Sequence, residues 1–138
     1  MQSITSSQDA YILLKSLSKK SVEEFWVLAL TSEKTLIKRK CLFRGTVDAC
    51  LIHPRDLFRF GCQTNASSLV IAHNHPNASP VPSESDLKLT SRLVEAGNLM
   101  QIPVVDHLIL SRHSYLSFRD LGWIEAGKRN QSLFHGYK

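Results

Sequence analysis

At 138 residues, 43% hydrophobic and 21% charged, the chain has the size and make-up of one globular domain that builds its own core without staples. No apolar run approaches a bilayer span, the opening MQSITSSQDAY lacks the basic and apolar parts of a signal peptide, and three cysteines (Cys41, Cys50, Cys62) without a C-x-x-C pair read as reduced thiols of a cytoplasmic protein. A net charge of +5 permits weak nucleic-acid contact, but the basic residues are scattered. Their one cluster, Lys38-Arg39-Lys40, would be split between two faces by strand alternation and fits a solvated sheet edge.

In chain order, Ser6 to Asp9 reads as a capping box with Asp in place of Glu, and Ala10, Leu13, Leu14 and Leu17 follow at helical spacing. EEFWVLAL reads as a buried strand, TSEK as a turn, and TLIKRKCLF as the returning strand of a hairpin that Gly45 ends. His53-Pro54 opens a second helix, with Leu57, Phe58 and Phe60 on its apolar face. SSLVIAHNH is a short buried strand. Ser83 caps a third helix that reaches about Leu99. IPVVDHLILS is a long apolar strand, and SYLSF a shorter one after a turn at Arg112-His113. Residues 125–138 lack periodicity and are expected to form a loose tail beyond a domain of residues 1–124. Helices alternating with strands, together with one hairpin, argue a mixed sheet covered by helices on both faces, in an order the sequence does not fix.

The chemistry gathers in IAHNHPNASPVPSESDLK, residues 71–88. Strand alternation points Leu69, Ile71, His73 and His75 to one side, which puts the two imidazoles about 7 Å apart along the chain at ~3.3 Å per residue. Pro76 keeps His75 extended and ends the strand. With Ser83 as N-cap, Asp86 is the third helical residue. It leads the stripe Leu89, Leu93, Ala96 and Met100, which is expected to face the core. An inward carboxylate needs a partner, and a metal held by His73 and His75 is such a partner. Two imidazoles and a carboxylate suit zinc and leave a position for water, the pattern of a catalytic site. The plainer alternative stays open: H-x-H alone is a weak signal, His73 could satisfy a backbone carbonyl, and Asp86 could only cap its helix. An HNH nuclease is excluded, because its residues spread over a longer ββα unit instead of standing consecutively.

The full spacing, H-x-H-P, six residues, then S-x-x-D, resembles the JAMM signature of MPN-type metalloproteases. The chain is most similar to the JAB-domain proteins of the bacterial RadC family, over about residues 7 to 124. Further landmarks are EEFWVLAL, LFRGTVD, HPRDLFR, SSLVIAHNHP, VVDHLILS and LSF. The resemblance implies an α/β fold, a three-layer α/β/α sandwich of the JAB/MPN type (cytidine-deaminase-like). It implies His73, His75 and Asp86 as zinc ligands, Ser83 as holder of the oxyanion, and a first-strand glutamate as general base. The family pattern E-x-F selects Glu23 with Phe25. Alternation alone leaves Glu23 and Glu24 open, and Glu24 is the fallback. The chain departs from the family at Asn77-Ala78, where many members have Ser-Gly, and at Thr31, where an aspartate is common. Longer members also carry an N-terminal helix-hairpin-helix DNA-binding region. Asp106-His107 belongs to the family pattern too, either orienting a ligand or making a structural hydrogen bond, and is left out of the site.

The expectation is a zinc-dependent metallohydrolase acting on a protein or peptide substrate, with a peptide or isopeptide bond as target. The alternatives are a DNA-repair or DNA-transaction protein and a non-catalytic binding module with a vestigial zinc site.

Overall fold

A computed structural model of the chain describes residues 2–48, 51–76 and 79–124. The elements run α1 (Ser7–Leu14), a 3-10 segment (Lys15–Lys19), β1 (Glu24–Leu30), β2 (Leu36–Arg44), α2 (Pro54–Gln63), β3 (Ser68–Asn74), α3 (Glu84–Met100), β4 (Val104–Leu110) and β5 (Tyr115–Ser117). The expected tail, Cys50 and Asn77-Ala78 lie outside the described residues. Among those described, Cys41 and Cys62 are free thiols, and no helix is long and apolar enough to cross a membrane.

The five strands form one mixed sheet in the order β2-β1-β3-β4-β5. β1 pairs antiparallel with β2 and β3, β3 runs parallel to β4, and β5 returns antiparallel to β4. β3 and β4 are buried at every residue, as strands covered on both faces must be. Alternation along the strands divides the core. Phe25, Val27, Ala29, Leu69, Ile71 and Ile109 pack with residues of α2 and α3, whereas Leu28, Leu30, Val70, Ala72, Leu108 and Leu110 pack with Ala10 and Leu14 of α1. This is the three-layer α/β/α arrangement.

The hairpin between β1 and β2 is organised by Thr31, the residue that departs from the family pattern. Its hydroxyl accepts from the amides of Glu33 and Thr35 and bonds the Thr35 hydroxyl at 2.7 Å. β2 is an edge strand, and Lys38, Arg39 and Lys40 are all exposed on it. At α1 the expected box is half made: Ser6 Oγ accepts from the Asp9 amide, but the Asp9 carboxylate turns to the amide and hydroxyl of Thr5.

In α3 the expected apolar stripe runs too long. Leu89 and Leu93 are fully buried, but Ala96 is half-buried and Met100 is exposed. A 3.6-residue period drifts against a strict three-and-four row, so the buried face moves to Thr90, Val94 and Gly97. Gly97 is where α3 meets the start of β4. A Cβ there would stand 2.8 Å from the Ile102 carbonyl oxygen and 3.1 Å from the Val104 amide, both backbone atoms. Alanine is the better helix former by about 1 kcal/mol. Gly97→Ala is nevertheless expected to destabilise by about 1–3 kcal/mol, because backbone has to move. Chemical denaturation of the two proteins measures this, and a stabilised variant would show that the α3–β4 junction yields freely.

Candidate metal centre

The antiparallel register of β1 and β3 sets Phe25 opposite His73. Residues of that parity on both strands face the α2–α3 layer, so His73 projects from the C-terminal end of β3 toward the start of α3. The ring is fully buried. His75 stands just beyond the strand, half-buried, with its amide bonded to the Leu110 carbonyl. Asn74, between them, faces the other way and is fully buried. It accepts from the Glu24 amide at 2.7 Å and donates to the carbonyls of Lys20 and Val22, which fixes the entry into β1.

α3 brings the third group. Ser83 is its N-cap, with both halves of a capping box: Ser83 Oγ accepts from the Asp86 amide, and the Asp86 carboxylate accepts from the Ser83 amide at 2.8 Å. The box turns Asp86 inward to 3% exposure. Its Oδ1 lies 3.1 Å from His73 Nε2 and its Oδ2 3.1 Å from His75 Nε2, while the two Nε2 atoms are themselves 3.1 Å apart. Donors at zinc distances around a tetrahedron would stand about 3.3 Å from each other. The two nitrogens, each with one Asp86 oxygen beside it, therefore form a tight triangle of side chains at a spacing that a metal fits with little adjustment. Without a cation, two imidazole nitrogens facing each other across 3.1 Å need a proton between them.

The charges of these groups follow from the same contacts. Burial opposes ionisation of Asp86, but its hydrogen bonds with His73 and His75, the His73 charge and the Ser83 amide outweigh it and hold the carboxyl well below the ordinary range. Burial also disfavours the charged form of His75. The Asp86 bond, the Ser79 carbonyl, and the charges of Asp86 and Glu23 overcome this and raise its pKa. His75 Nδ1 lies 3.1 Å from the Ser79 carbonyl oxygen, which can only accept, so Nε2 is the nitrogen left to face Asp86.

Glu23 and Glu24 diverge. Glu23 offers a carboxylate oxygen within 4.8 Å of ligand atoms of both His73 and His75, so a second donor set, Glu23-His73-His75, overlaps the tighter one. It lines an open cleft with Val47, His75, Pro76, Ser83 and Asp86. Glu24 sits on the opposite face, where its carboxylate accepts from Trp26 Nε1 at 2.9 Å and pairs with Arg44 at 3.5 Å. Ser83 is exposed at the cleft, and its hydroxyl hydrogen is free to donate because Oγ accepts from Asp86.

Asp106 and His107 part company as well. Asp106 accepts from the amides of His107 and Arg119 and from the Ser117 hydroxyl, tying β4 to β5 and the turn beyond it; burial raises its pKa. His107 is fully buried on the His73 side of the sheet, with Nε2 2.9 Å from His73 Nδ1, which is the contact of a ligand-orienting residue, one of the two readings under which it was left outside the site. The available signal was a histidine inside an otherwise apolar, fully buried strand.

A family model described as the RadC-like JAB domain matches residues 4–123. The chain belongs to the RadC-like JAB family. It is 40% identical over 102 residues to a UPF0758 protein of Symbiobacterium thermophilum, covering 74% of this chain and 44% of that one. A UPF0758 protein of Thermosynechococcus vestitus is 43% identical over 112 residues, 81% of this chain and 45% of the relative. One of Thermotoga maritima is 44% identical over 96 residues, 70% and 43% respectively. This RadC-like JAB chain thus spans less than half the length of these curated relatives. Their names assign no reaction.

Proposed function

We propose that this domain is a zinc-dependent hydrolase of JAMM type that cleaves a peptide or isopeptide bond. The observation that carries the reading is the convergence of His73, His75 and Asp86 at 3.1 Å, with the Glu23 carboxylate beside them in an open cleft. His73, His75 and Asp86 hold the zinc. Zinc bound there supplies Lewis acidity, which makes water a competent nucleophile at neutral pH. Glu23 serves as general base and not as ligand, because it stands outside the tight triangle yet within reach of it. It takes a proton from the attacking water and delivers it to the leaving amine. Ser83 donates its free hydroxyl hydrogen to the oxyanion that develops on the carbonyl.

The test is a screen of the purified protein against fluorogenic peptides, isopeptide-linked conjugates and duplex DNA, each with zinc and with chelator. Chelator-sensitive cleavage of an amide is the expected result, and amide cleavage indifferent to chelator would overturn the reading. DNA binding is expected to be weak and non-specific, since the charge of +5 is spread and its one cluster lies on an edge strand. Affinity should collapse between low and physiological salt. A tight, salt-resistant, sequence-specific complex would instead favour a role in DNA transactions.

A further inference from the structure

A chain of hydrogen bonds leads from the backbone of one metal-site residue to the ring of another. Thr90 Oγ1 lies 2.8 Å from the Asp86 carbonyl oxygen, one helical turn earlier in α3. A carbonyl only accepts, so the Thr90 hydroxyl hydrogen is committed to it. Toward its other neighbour, His107 Nδ1, the same oxygen must then accept. His107 therefore carries its proton on Nδ1. Its Nε2 is left as a lone pair, 2.9 Å from His73 Nδ1. His73 Nδ1 must donate to it, and the atom then left open on His73 is Nε2, the one aimed at His75 and Asp86. With the Thr90 hydroxyl donating to the Asp86 carbonyl, this is the assignment that leaves His107 neutral. Aromatic neighbours hold the relay in place: the His107 ring stacks on Phe118 at 4.8 Å and meets the edge of Phe25 at 6.1 Å.

We propose that Thr90 and His107 are positioning residues that set the tautomer of His73, so that Nε2 is presented to the metal. The proposal rests on the zinc reading given above and adds two residues that touch neither metal nor substrate. It also explains why a histidine and a threonine interrupt the core beneath the centre. A metal-bound histidine ordinarily donates its second nitrogen to a carboxylate, a carbonyl or water. Here the acceptor is itself an imidazole, whose direction is fixed by a carbonyl two bonds further on. The carbonyl belongs to Asp86, so both ligand elements, β3 and α3, are locked by one relay through β4.

The test compares zinc affinity, by chelator competition, among paired variants. Thr90→Val keeps the shape and loses the hydroxyl; Thr90→Ser keeps the hydroxyl. His107→Leu removes the acceptor; His107→Gln retains an amide oxygen that can take the His73 proton. The valine and leucine variants are expected to bind zinc roughly 10–100-fold more weakly than wild type, the usual loss for such outer partners. The serine and glutamine variants should recover most of it, whatever their melting temperatures. A purely packing role would instead make affinity follow stability. Imidazole nitrogen NMR of the wild type needs no variant, and should find the proton on Nδ1 in both His73 and His107. Folded Thr90→Val and His107→Leu proteins with wild-type affinity, or a proton on His107 Nε2, would overturn the relay alone. A wild type without zinc affinity would bring down the zinc reading and the relay together.

Discussion

Asp86→Asn is expected to empty the centre of zinc while leaving the domain folded. Metal-replete wild-type protein should contain about one equivalent per chain by elemental analysis, and His73→Ala should lose it as well. Asp86 is the more informative position, because its carboxylate has two tasks. It caps α3 through the Ser83 amide, and it contributes the anionic corner of the 3.1 Å triangle. Alanine would remove both, and loss of the cap alone is worth about 1 kcal/mol. Asparagine keeps an oxygen for the Ser83 amide and removes only the charge. The fall in zinc affinity should exceed the roughly 10–100-fold that losing an outer-shell partner costs. A thermal signature follows. Zinc at about 1,000 times its dissociation constant stabilises a protein by about 4 kcal/mol, so chelator should lower the melting temperature of the wild type and leave Asp86→Asn unmoved. A full equivalent of zinc in Asp86→Asn, with His73→Ala empty, would remove Asp86 from the ligand set and favour the overlapping set of Glu23, His73 and His75.

Local signals carried much of this architecture in the sequence, and long-range ones carried the rest. The cap at Ser83, the proline after His53 and the alternation in SSLVIAHNH act over a few residues, and the corresponding elements lie where those signals place them. The spacing from His73 to Asp86 was legible for the same reason: a strand end, a loop and one capping box determine it. Three other features depend on which strands become neighbours. Alternation says that Glu23 and Glu24 face opposite ways, but only the pairing of Phe25 with His73 decides which way is toward the centre. His107 becomes a neighbour of His73 because β4 lies parallel to β3 with Ile71 opposite it, a pairing 36 residues apart in the chain. Thr90 meets His107 only because β4 lies beneath α3, a contact that no local signal in the sequence marks. The stripe on α3 failed at Met100 for a local reason, since the 3.6-residue period carries the buried face of the last turn to Gly97.

The pairing that separates the two glutamates makes the sharpest test of the chemistry. Glu23→Gln preserves the size and hydrogen-bonding capacity of the side chain and removes its basicity. Glu23 is half-buried at the rim of the cleft and outside the tight triangle, so zinc content and melting temperature should stay near wild type. Amide hydrolysis should fall by roughly 10²–10⁴-fold, the usual share of general acid–base catalysis. Glu24→Gln is the control one residue away. Its carboxylate serves Trp26 and Arg44 on the far face of the sheet, so the change should cost some stability and leave turnover nearly unchanged. Both substitutions delete one negative charge from the same stretch of chain, so a general electrostatic effect would move both alike. Turnover lost in Glu24→Gln and kept in Glu23→Gln would exchange the roles of the two residues. Turnover kept in both would mean that the proton leaves the attacking water by a route without either carboxylate. Zinc lost from Glu23→Gln, with Asp86→Asn still loaded, would make Glu23 a ligand and not a base. Each outcome assigns the carboxylates differently, and a wild-type zinc content beside a collapsed rate in Glu23→Gln alone is the pattern that the geometry of β1 requires.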